Sequence, residues 1–145
     1  MKRILIILFA FGSISIGIAQ PNVNDDEMVG FACSIGGTPS NTVQKVSHLI
    51  DKRKYKVIIK LLDSDNNAER FLAVVVCEKL TELKKTTLTE ELKGKISEIY
   101  KSDGIVSVCS GCTYWDNLTL KDMLNKENNM RISANYWLDY KFKKK

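Results

Sequence analysis

Cys109-Ser110-Gly111-Cys112 is the constellation in this chain whose residue types and spacing could do chemistry outright. Two cysteines two residues apart can exchange disulfides when a helix N-terminus or a cation lowers the pKa of the first thiol. They can share a zinc ion with two further ligands, anchor a c-type haem when a histidine follows, or close into a local disulfide. Thr113 stands where haem attachment requires histidine, and the single histidine, His48, lies in a helical segment away from any ligand spacing with Cys33 or Cys77. No cofactor and no metal site is therefore expected.

Two readings of the pair remain. In the redox reading Cys109 is the nucleophile and Cys112 the resolving thiol. In the structural reading a Cys109–Cys112 disulfide pins a turn beside Tyr114 and Trp115. The structural clip is favoured, because a thioredoxin-type fold carries its pair near the start and needs a long βαββα remainder, whereas only a short segment follows Cys112. A loop this short constrains the unfolded chain by at most about 2 kcal/mol. Four cysteines allow three full connectivities. Cys77 lies on the apolar face of a helix, where a free cysteine behaves as a small hydrophobe, and Cys33 could either staple the N-terminal lead to the core or remain a free thiol.

The start of the chain sets the redox compartment. Lys2 and Arg3, the apolar run Ile4 to Phe11 and the small residues Gly17 and Ala19 read as a signal peptide over residues 1–19, cleaved before Gln20. Gly12, Ser13, Ser15 and Gly17 interrupt the run well short of the roughly 20 apolar residues a membrane anchor needs, so no transmembrane anchor is expected in the mature chain. The protein is expected to be exported, to the periplasm or beyond, where disulfides persist. The chain has 145 residues with 22 basic and 17 acidic side chains; loss of Lys2 and Arg3 lowers the net charge from +5 to about +3. That excess is too small to argue for nucleic acid. Basic clusters occur at Lys52-Arg53-Lys54 with Lys56, at Lys84-Lys85, and in the tail Lys141, Lys143, Lys144 and Lys145; the tail reads first as a solvated end, with contact to a membrane surface or a polyanion as the alternative.

The elements that must position these groups read mostly as helices. Residues 20–39 form an irregular lead with Gly30, Gly36, Gly37 and both prolines, and residues 40–145 form one mostly helical domain. Ser40 or Asn41 caps a helix with Val43, Val46, Leu49 and Ile50 on one face, and Tyr55 to Leu62 continues in helix. Asp63 to Asn67 is a turn before a long helix to about Leu83, with Leu72, Val76, Leu80 and Leu83 buried and Glu69, Glu78, Lys79 and Glu82 as the polar face. Thr87 to Glu90 matches a capping box ahead of Leu88, Leu92, Ile96 and Ile99. Gly104 to Val108 is strand-like, and Leu118 to Leu124 suggests a short helix. Residues 130–142 alternate like a strand but fit a helix capped at Ser133, and helix is preferred from the helical neighbours. The expected class is all-α, a compact bundle of antiparallel helical hairpins with a short irregular or β-containing C-terminal third.

The segment Ile59-Lys-Leu61-Leu62-Asp63, its polar turn, and Arg70-Phe-Leu-Ala73 with Leu80 resembles a HEAT repeat, in one copy spanning about Tyr55 to Leu83. The resemblance implies a protein-binding surface and no catalysis. His48 beside Leu49-Ile50 reads as a helix residue, the adjacent carboxylates Asp25-Asp26-Glu27 and Glu90-Glu91 as solubility or first-turn charge, and Ser34 to Thr38 as a turn. The sequence thus points to an exported, non-enzymatic domain that binds another protein through helix faces or through Tyr114, Trp115 and Trp137, with the Cys109/Cys112 redox protein as the alternative.

Overall fold

A computed structural model describes residues 24–111 and 114–143; the proposed signal peptide and its cleavage point, Cys112, and the last two lysines lie outside them. The β-branched run Ile105–Ser110 (β2) is the middle strand of a small sheet, flanked in parallel by the two-residue β1 (Met28–Val29) and antiparallel by β3 (Tyr114–Thr119). In register, Met28 faces Ser107, Val29 faces Val108 and Cys109 faces Trp115. Val106 and Val108 are buried towards the helices, as period-two alternation demands.

This sheet corrects the all-α expectation: the fold mixes helices with a three-stranded sheet. The N-terminal lead is likewise no irregular appendage from Asn24 onwards. It donates β1 to the sheet, and Met28 and Val29 are fully buried. A two-residue strand has no period to detect; its place is set by its partner β2 alone.

The helices are α1 (Asn41–Asp51), α2 (Tyr55–Lys60, continued by a 3-10 turn at Leu61–Asp63), α3 (Asn67–Glu82), α4 (Glu90–Ile99), α5 (Leu120–Leu124) and α6 (Asn129–Lys143). Residues 130–142 are thus helical. Asn66 caps α3 by accepting from the amides of Ala68 and Glu69, which fits the expected polar turn. Helix α4 is capped by Thr89, whose hydroxyl accepts from Leu92 N, and not by Thr87. The true cap lies two residues on, because its hydroxyl must reach the third amide of the helix.

Helix α3 is the axis of the core. The expectation of one buried face is too narrow: Ala68, Glu69, Phe71 to Cys77 and Leu80 are all buried, because α1, α2, α4, α5, α6 and β2 pack round it. Helices α1 and α6 run in the same direction, shown by the Trp137–Ser47 hydrogen bond and, one turn further along both, the Lys141–Asp51 ion pair. The N-termini of α1 and α3 meet at Asp26, whose carbonyl accepts from both Thr42 Oγ1 and Asn66 Nδ2. Ser40 sits at the N-cap position of α1, but its hydroxyl donates to Met28 O at 2.9 Å and accepts from Gly30 N at 3.2 Å, tying the helix start to β1.

Candidate functional site

The cysteines fall differently from the local clip. Cys109 is bonded to Cys33, 76 residues earlier, with a Cα separation of 5.5 Å. A cysteine forms one disulfide, so the Cys109–Cys112 pairing is replaced by a long-range staple between β2 and the loop after β1. Spacing favoured the nearer partner, whereas the fold carries Cys33 across the outer face of the sheet. Cys109 is 1% exposed and packs with Met28, Cys33 and the half-buried Trp115 in a small cluster of its own. Gly30 lies beneath the bond: a Cβ there would collide with both sulfurs and approach the Cys109 carbonyl to 2.9 Å. Cys77 is a buried free thiol in α3, and burial, then the Glu78 charge, push it up to about 12.

The staple is reinforced by backbone. Gly111 N donates to Ala32 O at 2.7 Å and Ser34 N to Gly111 O at 2.9 Å, while Cys33 and Thr38 exchange hydrogen bonds across the turn between them. The loop of residues 31–38 and Gly111 at the end of β2 are therefore fastened into a single tip. At its apex Ile35 is 93% exposed. Trp115 stands in β3 opposite Cys109, with its indole N–H buried and without a hydrogen-bond partner among the described residues. Tyr114 begins β3.

Trp137 is elsewhere in role. It lies half-buried in α6, donates to Ser47 and packs its ring on Phe31 at 5.5 Å. The two tryptophans thus flank the same lead segment, Trp115 against Met28 and Cys33, Trp137 against Phe31, but Trp137 is committed to holding α6 on α1.

A second polar assembly lay hidden in the sequence. Between α3 and α6, the buried Arg131 donates to Glu78 Oε2 at 2.5 Å, and Tyr100 donates to Glu78 Oε1 at 2.7 Å. Beside them Lys79 bonds both Glu82 at 3.0 Å and Asp139 at 2.9 Å. A cavity of about 340 Å³ adjoins this group. Burial, reinforced by the bond to Glu78, pushes the Tyr100 phenol up to about 12, so it is a fixed donor and not a base. Asp139 is held below its ordinary value and Lys79 above, each by the other, with Glu82 adding to the shift of Lys79. Nε and Nη1 of Arg131 have no hydrogen-bond partner among the described residues. The Met130, Ala134, Leu138 stripe signals a buried face of α6, but nothing in the sequence marks Arg131 as sharing it.

His48 is exposed on α1. No group of three or more metal-ligating side chains occurs among the described residues, and no helix there is long and apolar enough to cross a membrane. No protein-family model, no curated protein and no solved structure matches this chain.

Proposed function

We propose that the protein is an exported, non-enzymatic interaction domain whose binding element is the stapled tip around Ile35 and Trp115, with another protein as partner. One observation carries this reading: an apolar side chain is held out at the apex of a loop that a disulfide and two backbone hydrogen bonds fasten to the sheet. Fixing a loop in advance lowers the ordering cost of binding, and binding residues are disproportionately carried on loops that a rigid scaffold positions. The disulfide itself accords with an oxidising compartment and so with export.

The redox reading is less favoured because the Cys109 sulfur is buried and already bonded to Cys33, so it would attack no substrate until the staple opened. The HEAT-like likeness of residues 55–83 is retained as part of the proposal. Helix α2, the capped turn at Asn66 and helix α3 make a helical hairpin there.

A photo-crosslinking residue placed at Ile35 in the secreted protein, with the same probe at exposed Glu127 as reference, tests the proposal. A discrete protein adduct from position 35 and none from position 127 is the expected result. Equal labelling from both positions, or insulin-reducing turnover that Cys109→Ser abolishes, would replace the binding reading with the redox one.

A further inference from the structure

Three basic clusters that are far apart in the sequence converge at one end of the molecule. Helices α1, α3 and α6 all finish there: Arg53, Lys54 and Lys56 line the same cleft of about 630 Å³ as Lys85. Lys85 Nζ stands 4.9 Å over the Phe142 ring near the end of α6, and that ring lies 6.5 Å from Tyr55. Lys52, Arg53, Lys54, Lys56, Lys84, Lys85 and Lys143 are all exposed. The acidic groups nearest in the chain are occupied, Asp51 by Lys141 and Glu82 by Lys79. These cations outnumber the net surplus of the mature chain, so the rest of the surface is net acidic and the molecule is electrically polar.

Part of this charge has a structural use, since cations near helix C-termini oppose the macrodipole. That use does not explain two backbone details. Arg53 and Lys84 both occupy left-handed conformations, with φ of 54° each, immediately after the ends of α1 and α3. In both, the next amide reaches back to a carbonyl in the last turn, Lys54 N to Leu49 O and Lys85 N to Leu80 O. This is the position where glycine is the easy residue. The chain twice places a long cation there instead, against the conformational preference.

We infer that this end docks on an anionic phospholipid bilayer. Charge complementarity selects a negatively charged surface. Apolar groups among the cations select a bilayer over a soluble polyanion: Val57 is 44% exposed and Leu83 38%, placed to enter the interface while the lysines reach the phosphates.

Binding of the secreted protein to vesicles of phosphatidylcholine, with and without phosphatidylglycerol, tests this, with dextran sulfate as the soluble polyanion. Binding is expected only where phosphatidylglycerol is present and is expected to weaken as salt is raised. Each cation removed should lower partitioning about fivefold, so Arg53→Gly with Lys84→Gly should lower it about 25-fold. The same double variant should melt no lower than the parent, because glycine suits both positions. Val57→Ser should weaken vesicle binding while leaving dextran sulfate binding unchanged. Equal binding to both vesicle types, unchanged partitioning of the double variant, or binding to dextran sulfate without binding to vesicles overturns the inference.

Discussion

The two ends of α1 are built by different physics. At its N-terminus the chain is fastened by a covalent bond, by backbone hydrogen bonds and by the Ser40 hydroxyl; Ile35 stands out from the tip, and the exposed charge beside the helix start is the acidic run Asp25, Asp26 and Glu27. At its C-terminus, about 16 Å away for a helix of 11 residues, three helices end in cations grouped round the Tyr55 and Phe142 rings. The first end fixes shape and carries a short acidic run beside the helix N-termini; the second concentrates positive charge on helix C-termini. A fixed apolar tip suits recognition of one shaped partner, whereas a cationic end suits an extended surface whose detailed shape does not matter.

The largest blow to this contrast should come from opening the staple. Cys33→Ser removes a cross-link over 76 residues and should cost about 4 kcal/mol of unfolding free energy. Urea denaturation of the variant should match that of the reduced parent, and the cationic end should still bind vesicles. Next comes the assembly between α3 and α6. Glu78→Gln leaves the guanidinium of Arg131 buried without its counter-ion and should cost about 3 kcal/mol, discounted because Glu78 is partly exposed. Arg131→Met removes the same pair together with the unpartnered donors and should lie within about 1 kcal/mol of the parent. If the two variants are equally destabilised, the assembly holds the fold by packing and not by charge.

The smallest effect is expected from acid. Burial would raise the Glu69 carboxyl, but hydrogen bonds from Lys45 and Ser64 and the Lys45 charge hold it below its ordinary 4.5. Because the folded-state pKa is the lower one, the stabilisation is present above 4.5 and is lost as pH falls through the folded value. Glu69→Gln should therefore lower stability at neutrality by a small amount and flatten the stability profile below about pH 4.5. A profile that stays as steep in the variant would assign acid sensitivity to other carboxylates.

How far these features could be read from the sequence depended on range. Local signals served well: Asn66 ahead of α3, the β-branched run of β2 and the short helix after Leu118 follow from neighbours in the chain. The capping box at Thr87 to Glu90 went astray by two residues because Thr87 and Thr89 offer the same hydroxyl to the same helix start. Long-range partners were out of reach. Met28 and Val29 become a strand only beside Ser107 and Val108, Cys33 meets Cys109 only once that strand is in place, and Glu78 meets Arg131 only when α6 crosses α3. The basic clusters were visible singly, but their convergence follows from α1, α3 and α6 ending together. At the tip, Trp115 was legible as a candidate, yet Ile35 at its apex was read only as part of a turn.

The stapled tip exists only if Cys33 and Cys109 are the cysteines that are joined. Digestion of the secreted protein under non-reducing conditions, with free thiols alkylated first, reads this directly by mass spectrometry. A linked peptide pair carrying Cys33 and Cys109, with Cys77 recovered as a free thiol released only on unfolding, is the predicted result. A peptide in which Cys109 is joined to Cys112 would contradict it, dissolve the stapled tip and reopen both the local clip and the redox reading of the pair.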